Sequence, residues 1–385
     1  MKISYGIITK NFIDLGTLEY FLDNAKKYGH EIYSVIIAYS YECDFTLVER
    51  LQGRVKVELI KINEFEKTKN EMVSLGVSEK SVNKILYSKS LEKYNMTSYG
   101  TNRNNVLVRS ILNKTDLLFF IDTDVYPHIL STRENQRSKE EIDFIGNHLA
   151  WILKDDVAVT TSDYSGYFII PVMNFDGLEN LFIGLQKRDS YKCLQKCHKI
   201  GCLNYGRIEN RKPFLTNKVL GGNLGIKTAR LKNLPPFFSS TLKVDDKVYL
   251  TRGEDTLLGL AFEKIDYKCM DIDLKIFHDT FNNYPFQPNI IKDKKIKDRF
   301  FYACMGWIGR NPFLNWIKGE DINQIYKIQK DALLKSEKKV AEYLNDSRFL
   351  DLSKALENAY KNLDEMILDY NETLEAWNEI TSKLL

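Results

Sequence analysis

The sequence predicts an α/β protein, in which a mainly parallel β-sheet is covered by helices on both faces and is followed by an α-helical C-terminal extension. Two observations predict this class. Apolar strand-like segments alternate with amphipathic helical segments over the first 60 residues, and this alternation requires crossover connections between parallel strands. Residues 321–385 contain no Gly and no Pro and carry a helical repeat of apolar residues.

The composition supports a folded chain and excludes several classes of protein. The 385 residues include 20 Gly and 8 Pro and are 12% aromatic, which is unlike a low-complexity disordered chain. The 55 basic and 52 acidic residues leave a formal charge of +3, which does not favour general nucleic-acid binding. No apolar run approaches the roughly 18 residues of a spanning helix, and the N-terminus resembles a strand rather than a signal peptide. We therefore expect a cytoplasmic protein with reduced cysteines.

The first half of the chain predicts these elements in order. Strands are expected at residues 3–8, 32–38 and 55–62, and helices at 15–28 and 45–51. Residues 63–100 are polar and Lys-rich, which predicts an inserted helical arm. A helix at 104–112 then leads into a strongly apolar strand at 116–121, which we expect to be buried on both faces.

The second half predicts a continuing sheet interrupted by an insertion. Strands are expected at residues 157–161, 167–172, 218–226 and 268–277, with a helix at 254–264 and a polar helical insertion from 174. The resulting organisation is a catalytic domain over residues 1–290, with insertions at about 63–100 and 174–212, and a helical extension over 291–385.

The extension carries two patterns whose roles stay open. Apolar residues recur at spacings of three and four, which predicts helices packed on the main domain or, alternatively, a homodimer through the C-terminal helices. These residues are Leu352, Leu356, Ala359, Leu363, Met366, Tyr370, Leu374 and Trp377. Aromatic and basic residues between 292 and 316 could dock the extension, contact an anionic membrane surface peripherally or form a wall of the acceptor site.

Two carboxylates follow the apolar strand at 116–121. Asp122 and Asp124 are one residue apart, with Thr123 between them. The carboxyl ends of strands line the ligand crevice in open α/β sheets, so both carboxylates can reach one Mg²⁺ or Mn²⁺ that also takes diphosphate oxygens. A solvated Asp-rich turn is the alternative.

Four further segments carry polar groups that chemistry can use. Arg103 and Asn104 lie near the start of a helix, where they face a nucleotide or simply cap the helix. The pair Gly221-Gly222, followed by Asn223, suits a close approach of backbone to ligand.

Acidic and imidazole groups follow later in the chain. Glu254 and Asp255 begin a helix, where its dipole favours negative charge. His278 directly follows a strand. Taken singly, these residues also fit an acidic helix start and a surface histidine.

Together and in this order, the segments over residues 1–285 resemble the GT-A glycosyltransferases, which use nucleotide-sugar donors. The resemblance implies a Rossmann-like nucleotide-binding mixed sheet and a DXD motif, in which Asp122 and Asp124, completed by His278, hold Mn²⁺ or Mg²⁺. It also implies a donor-binding set and an acidic pair near the acceptor. The donor set comprises Thr9, Arg103, Asn104, Asp122, Thr123, Gly221, Gly222 and Asn223, and the acidic pair is Glu254 and Asp255.

The resemblance leaves the stereochemistry open. The order of the Gly-Gly, Gly-x-Asp-Thr-Leu and His segments looks most like mannosylglycerate synthase and its retaining relatives. Gly-Glu-Asp is equally similar to the Glu-Asp motif of inverting family 2 enzymes, in which Asp255 would be the base. The implied function is transfer of a hexose from a UDP- or GDP-linked donor to a sugar, glycan, lipid-linked or small-molecule acceptor. A non-catalytic sugar-nucleotide-binding scaffold is the alternative outside enzymology.

One cysteine-rich segment gives a weak metal signal. Cys193, Cys197, His198 and Cys202 provide four zinc-ligand types within ten residues. Structural zinc sites space their cysteine pairs by about two to four residues, so zinc is not excluded, but a second ligand pair is missing from the pattern. Thiols in a helical insertion are the alternative.

Overall fold

The computed structural model describes residues 1–88, 96–133, 136–197 and 203–385. Its strands are β1 (Ile3–Thr9), β2 (Ser34–Tyr39), β3 (Lys56–Lys61), β4 (Leu117–Ile121), β5 (Val125–Tyr126), β6 (His128–Arg133), β7 (Gln136–Glu141), β8 (Val157–Thr161), β9 (Tyr164–Tyr167), β10 (Leu203–Asn204), β11 (Phe214–Leu215), β12 (Asn223–Lys227), β13 (Thr241–Val244), β14 (Lys247–Leu250), β15 (Lys268–Asp271) and β16 (Ile276–His278).

The helices follow the same chain order. They are α1 (Thr17–Lys27), α2 (Phe45–Gln52), α3 (Glu66–Ser74), α4 (Glu79–Leu86), α5 (Tyr99–Leu112), α6 (Phe144–Ile152), α7 (Leu178–Gly184), α8 (Arg188–Cys197), α9 (Glu254–Ala261), α10 (Lys294–Ile317), α11 (Ile322–Leu344), α12 (Leu352–Lys361) and α13 (Leu363–Leu384). Short 3₁₀ helices cover Thr228–Asn233 and Ser347–Asp351.

The main sheet is mixed, and it has eight strands among the described residues, in the order β11-β15-β8-β12-β4-β1-β2-β3. Strand β1 is parallel to both β2 and β4, and β2 is parallel to β3. Strand β12 runs antiparallel between β4 and β8. The predicted α/β fold class is confirmed. Because β4 and β1 are parallel neighbours, residues that follow β4 leave the sheet beside Thr9 at the end of β1.

Helices cover both faces of this sheet. Residues of α4, α5 and α13 share one apolar core with β2, β4 and β12. Residues of α1, α2 and α6 share a second core with the opposite side chains of β1, β2 and β4. All five side chains of β4 are buried, as expected for a continuous apolar strand that is covered on both faces.

A smaller sheet places His278 next to the predicted carboxylates. Its strand order is β10-β9-β16-β5, and the antiparallel pairing of β16 with β5 sets His278 opposite Val125, the residue after Asp124. The single strand predicted at 268–277 is therefore wrong. The chain turns at Asp273, which has a φ of 51°, and the two halves join different sheets.

The arm at 63–100 contains helices, as predicted, and it is fastened to the C-terminal helix. Glu379 of α13 accepts hydrogen bonds from the Ser78 amide and from both serine hydroxyls, Ser78 and Ser81. Lys84 of α4 forms ion pairs with two further carboxylates of α13, Asp369 and Glu372, each at 2.6 Å. The arm and the extension therefore form one layer of the structure.

Several elements differ from the sequence predictions. The strand predicted at 167–172 lies earlier, as β9, and the strand predicted at 218–226 begins only at Asn223. The hairpins β6–β7 and β13–β14 and the helix α6 were not predicted, and β7 is too polar to give an apolar alternation. The insertion from 174 contains α7 and α8. The zinc prediction cannot be assessed, since His198 and Cys202 lie outside the described residues.

The apolar stripe of the extension is buried within the chain. It spans two helices, α12 and α13, which meet at Asn362. Leu352, Leu356 and Trp377 are completely buried against other parts of the same chain. The structure therefore gives no support to a homodimer through this face. In the part of the chain that the structure describes, no helix is both long and apolar enough to cross a membrane.

Most of the aromatic residues near the start of the extension are also buried. Phe300, Phe301, Trp307 and Phe313 of α10 pack in apolar cores, whereas the Tyr302 side chain is exposed. This packing agrees with the docking role among the three alternatives. A peripheral membrane contact through these rings has no support in the structure.

We predict that Trp377→Ala destabilises the whole protein by about 3–5 kcal/mol. The Trp377 ring is fully buried between α13 and the main core, and its Nε1 donates a hydrogen bond to the Leu234 carbonyl at 2.8 Å. Urea unfolding followed by circular dichroism measures this loss in one cooperative transition. Leu368→Ala, at an exposed position of the same helix, is the control and should change stability by less than about 0.5 kcal/mol. A separate transition for the C-terminal helices would contradict the prediction.

Candidate active site

The two predicted carboxylates lie together where β4 leaves the sheet. Asp122 directly follows the last residue of β4, and Asp124 precedes β5. The side chains remain 34% and 35% exposed, so both face a cleft at the carboxyl edge of the sheet. The Asp279 amide donates to the Asp124 carbonyl at 2.9 Å, which ties this turn to the end of β16.

One imidazole and one guanidinium contact Asp124 at the same oxygen. His278 Nε2 lies 3.1 Å and Arg299 Nη2 lies 3.7 Å from Asp124 Oδ2. Burial opposes ionisation of this carboxyl, but His278 and Arg299 outweigh that effect, and the pKa of Asp124 is lowered. Thr280 Oγ1 lies 3.2 Å from His278 Nδ1, which fixes the ring from its other side.

Arg103 joins the first carboxylate to the acidic pair at the start of α9. It is 3% exposed, and its guanidinium donates to Asp122 Oδ1 at 3.2 Å, to Glu254 Oε1 at 3.2 Å and to the Gly221 carbonyl at 2.9 Å. Burial disfavours its charge, yet the neighbouring carboxylates raise the pKa of Arg103. The guanidinium also lies 4.9 Å from the centre of the Phe120 ring. Arg103 therefore connects Asp122 to Glu254 inside the protein, and its binding of a nucleotide stays a prediction.

Burial disfavours the charged forms of two carboxyls around Arg103. Burial raises the pKa of Asp122 despite Arg103, with repulsion from Asp124 adding to the effect. Burial and repulsion from Asp255 likewise raise the pKa of Glu254. A cation bound beside these carboxyls would favour their charged forms.

The glycine pair is required by the close approach of Arg103 and Asp122. A Cβ on Gly221 would overlap the Arg103 guanidinium, and a Cβ on Gly222 would overlap the Asp122 carboxylate. The Gly222 amide donates to the Tyr164 hydroxyl at 2.9 Å. The backbone therefore approaches the Arg103 and Asp122 side chains here, and the predicted approach to a ligand stays a prediction.

The acidic pair divides into a buried and a half-buried carboxylate. Glu254 is 7% exposed and bound to Arg103, so the structure does not present it to an acceptor. Asp255 accepts hydrogen bonds from the Gly221 amide at 3.2 Å and from the Thr256 amide at 2.7 Å. The helix begins at Glu254, as predicted, with Gly253 as its N-cap at a φ of 96°.

Two asparagines of the predicted donor-binding set are bonded within the protein. Both ends of the Asn104 side chain bond the Phe237 backbone at 2.9 Å, and α5 begins earlier than predicted, with Ser98 as its N-cap. Asn223 is completely buried, donates to the Leu274 carbonyl at 2.8 Å and lies 3.2 Å from His148 Nε2. Their amide groups are thus satisfied within the protein, and donor binding by either residue stays a prediction.

A cavity of about 670 Å³ lies at the end of β1, and neither Asp122 nor Asp124 lines it. Thr9, predicted to bind the donor, lines it, whereas Thr123 is exposed at the turn between the two aspartates. The hairpin β13–β14 and helix α10 form the opposite wall. Residues that line the cavity include Thr9, Lys10, Tyr99, Lys247, Arg252 and Tyr302.

The sequence patterns did not identify two further cations near Asp255. Lys187 follows α7, and its Nζ lies 4.6 Å from the centre of the Trp307 ring. Arg310 of α10 is 8% exposed, and its Nε has no hydrogen-bond partner among the described residues. Burial and the charge of Arg310 lower the pKa of Lys187 to about 7. Neither residue belongs to a local motif, because only folding of the insertion and the extension brings them to the site.

The predicted metal ligands Asp122, Asp124 and His278 suit a divalent cation in their chemistry, although they do not form a closed coordination site. Within the described ranges, no group of three or more His, Cys, Asp or Glu side chains is positioned to hold a metal ion. The reason is that Asp122 turns to Arg103, while Asp124 turns to His278 and Arg299. Two carboxylates and one imidazole nevertheless lie at one cleft, and such ligands suit Mn²⁺ or Mg²⁺.

Comparison with known proteins gives structural matches only. No family model matches the sequence, and no curated protein matches it significantly. A glucosyl-3-phosphoglycerate synthase from Mycobacterium tuberculosis, in complex with Mn²⁺, UDP and phosphoglyceric acid, is 12% identical with a TM-score of 0.39, over 83% of this chain and 79% of that chain. Its complex with Mg²⁺ and UDP is 13% identical with a TM-score of 0.39, over 83% and 80%.

A third match is described as a mycobacterial protein. It is 14% identical with a TM-score of 0.40, over 83% of this chain and 76% of that chain. Similarity at this level does not assign a function. The function must be inferred from the residues of this chain.

We predict that Arg103→Met destabilises the protein by about 3–5 kcal/mol, because it leaves the buried Glu254 carboxylate without its partner. Adding Glu254→Gln should restore about 1–3 kcal/mol, since the double variant removes both charges. Urea unfolding of the four proteins of this cycle gives the coupling. Arg50→Met, which breaks the exposed pair with Glu19, is the control and should cost less than about 1 kcal/mol. Additive effects of the two substitutions would contradict the buried pair.

Proposed function

We propose that this protein is a metal-dependent glycosyltransferase that moves a hexose from a UDP- or GDP-linked donor to an acceptor hydroxyl. The observation that carries the proposal is the placement of Asp122, Asp124 and His278 at one cleft, where a buried strand of an α/β sheet ends. The cavity at the end of β1 has a volume that suits a nucleoside, and Asp255 is bonded to the Gly221 amide next to the Arg103 contacts. The chemistry of diphosphate binding and of acceptor positioning is thus available at one place.

The cavity at the end of β1 suits the nucleoside of the donor. Its exposed rings, Tyr99 and Tyr302, can stack on a base. Lys10 and Arg252 line the same space and can pair with phosphate oxygens. Arg252, which lines the cavity, precedes Glu254 by two residues along the chain.

Asp122, Asp124 and His278 are the residues that would hold Mn²⁺ or Mg²⁺. When bound, the metal supplies positive charge to the diphosphate leaving group. The protein's own contribution is to fix these ligands. Arg103 orients Asp122, Thr280 orients His278, and the turn bonded to Asp279 orients Asp124.

The transfer itself exchanges two bonds at the anomeric carbon. The acceptor hydroxyl oxygen forms a bond to this carbon, and the bond to the diphosphate oxygen breaks, with its electron pair leaving on the phosphate. Asp255 is held by the amides of Gly221 and Thr256, which favours a fixed carboxylate that accepts a hydrogen bond from the acceptor hydroxyl.

The stereochemistry decides where the acceptor proton goes. In a retaining reaction the proton goes to the leaving phosphate, and Asp255 only orients the acceptor. In the inverting alternative Asp255 takes it in line as the base. The two amide hydrogen bonds hold the Asp255 carboxyl in place, which favours the orienting role.

Lys187 and Arg310 indicate that the acceptor is a small molecule with a carboxylate or phosphate. Both cations lie within electrostatic reach of Asp255, and burial, with repulsion from Arg310 as a smaller cause, lowers the pKa of Lys187. Arg310 donates only to Thr256 Oγ1, at 3.3 Å, among the described residues. An anion bound between the two cations would relieve their repulsion and occupy the unpartnered Nε of Arg310.

We predict that Asp122→Asn and Asp124→Asn each reduce the turnover of nucleotide-sugar donors by about a hundredfold or more. Each substitution removes a carboxylate that would hold the metal, and the diphosphate then lacks the positive charge of that metal. Hydrolysis of UDP- and GDP-hexoses, measured as nucleotide release, tests this without knowledge of the acceptor. Calorimetry with UDP and GDP, with and without Mn²⁺, tests binding directly.

Asp189→Asn, at a fully exposed aspartate of α8, is the matched control and should behave like the wild type. Unchanged turnover in both single variants would refute the proposed function. Metal-independent nucleotide binding without any turnover would favour the non-catalytic scaffold.

We predict that binding of an anionic acceptor weakens as the pH rises through about 7, because Lys187 loses its proton and its charge. Phosphoglycerate is a suitable probe, since it carries a carboxylate, a phosphate and a hydroxyl. The concentration that half-saturates nucleotide release should rise between pH 6.5 and 8.5. Lys187→Arg keeps its charge and should abolish this pH dependence, whereas Lys187→Gln should bind about tenfold more weakly throughout. An identical pH profile in Lys187→Arg would contradict the assignment.

A further inference from the structure

Arg299 connects the helical extension to the proposed donor site. It belongs to α10, the first helix of the extension, and its Nη2 lies 3.7 Å from Asp124 Oδ2. The next two residues, Phe300 and Phe301, are buried in the core of the extension, so the helix cannot rotate away from the cleft. Its other terminal nitrogen donates to the Thr280 carbonyl. The side chain is therefore aimed at the carboxylates by packing on one side and a hydrogen bond on the other.

The ion pair of Arg299 with Asp124 does not by itself explain the position of Arg299 through protein stability. Its side chain remains 34% exposed, and its contact with Asp124 is longer than that of His278 to the same oxygen. Ion pairs of this exposure and length contribute little to stability. The first turn of the same helix also carries Lys295 and Lys297, but Arg299 is the residue of this helix that pairs with Asp124 among the described residues.

We propose that Arg299 binds the diphosphate of the nucleotide-sugar donor and balances the charge of Asp124 until the donor arrives. The proposal rests on the proposed function and assigns a residue of the extension to the donor site. A divalent cation held by Asp124 repels the neighbouring guanidinium, whereas diphosphate oxygens attract it. Arg299 Nη2 lies 3.7 Å from Asp124 Oδ2. The planar guanidinium can donate to two phosphate oxygens at once.

This arrangement predicts that removal of Arg299 affects the affinity for metal and the affinity for nucleotide differently. Arg299 competes with a cation for Asp124 and cooperates with it in binding the diphosphate. Removal of Arg299 therefore leaves Mn²⁺ binding unchanged or stronger and makes nucleotide binding weaker. A residue that only maintained the fold of the cleft would weaken both.

The test is calorimetry on the full-length protein with Mn²⁺ alone, and with UDP or GDP at saturating Mn²⁺, whichever nucleotide the wild type binds more tightly. The variants are Arg299→Gln and Arg299→Lys. Lys295→Gln is the matched control, since it removes an exposed positive charge one helical turn earlier. We expect Arg299→Gln to weaken nucleotide binding by about tenfold or more without weakening Mn²⁺ binding. Arg299→Lys should retain most of the nucleotide affinity, and Lys295→Gln should match the wild type.

The outcomes separate this proposal from the proposed function. Unchanged nucleotide affinity in Arg299→Gln, or an equal loss of nucleotide and Mn²⁺ affinity, would overturn the role of Arg299 and leave the proposed function intact. A wild-type protein that binds neither nucleotide would overturn both. If Arg299→Gln does not fold by circular dichroism, a nucleotide affinity of Arg299→Lys about equal to the wild type supports the proposal, and a loss of both affinities in this variant overturns it.

Discussion

The buried charge of Arg103 is the constraint on which the site depends. A guanidinium taken out of water requires carboxylates and carbonyls around it, and here Asp122, Glu254 and the Gly221 carbonyl supply them. These groups come from the end of β4, the start of α9 and the loop before β12. The need to compensate one buried charge therefore brings three distant segments to one point and holds them in register.

The same constraint explains the small residues at the cleft. Gly221 and Gly222 allow the backbone to lie against Arg103 and Asp122, where a Cβ would overlap both side chains. Burial raises the pKa values of Asp122 and Glu254 even beside Arg103. A cation bound at the cleft would therefore favour the charged forms of these carboxyls.

The helical extension contacts both the site and the arm and contributes side chains to the site. Helix α13 returns to the arm and fastens it through Glu379, while α10 contributes Arg299 and Arg310 to the two sides of the cleft. Basic side chains from the extension and the insertion thus lie close to carboxylates that follow β4 and begin α9.

The sequence by itself determined the α/β class, the buried strand β4 and the two aspartates that follow it, since strand alternation and apolar runs are local patterns. It did not determine that Arg103 and Asn104 would turn inward, because exposure depends on which elements pack above them. The structure alone decided that His278 pairs opposite Val125 and that Arg299 reaches Asp124. Those contacts join residues more than a hundred positions apart, and long-range pairing leaves no periodic trace in the chain.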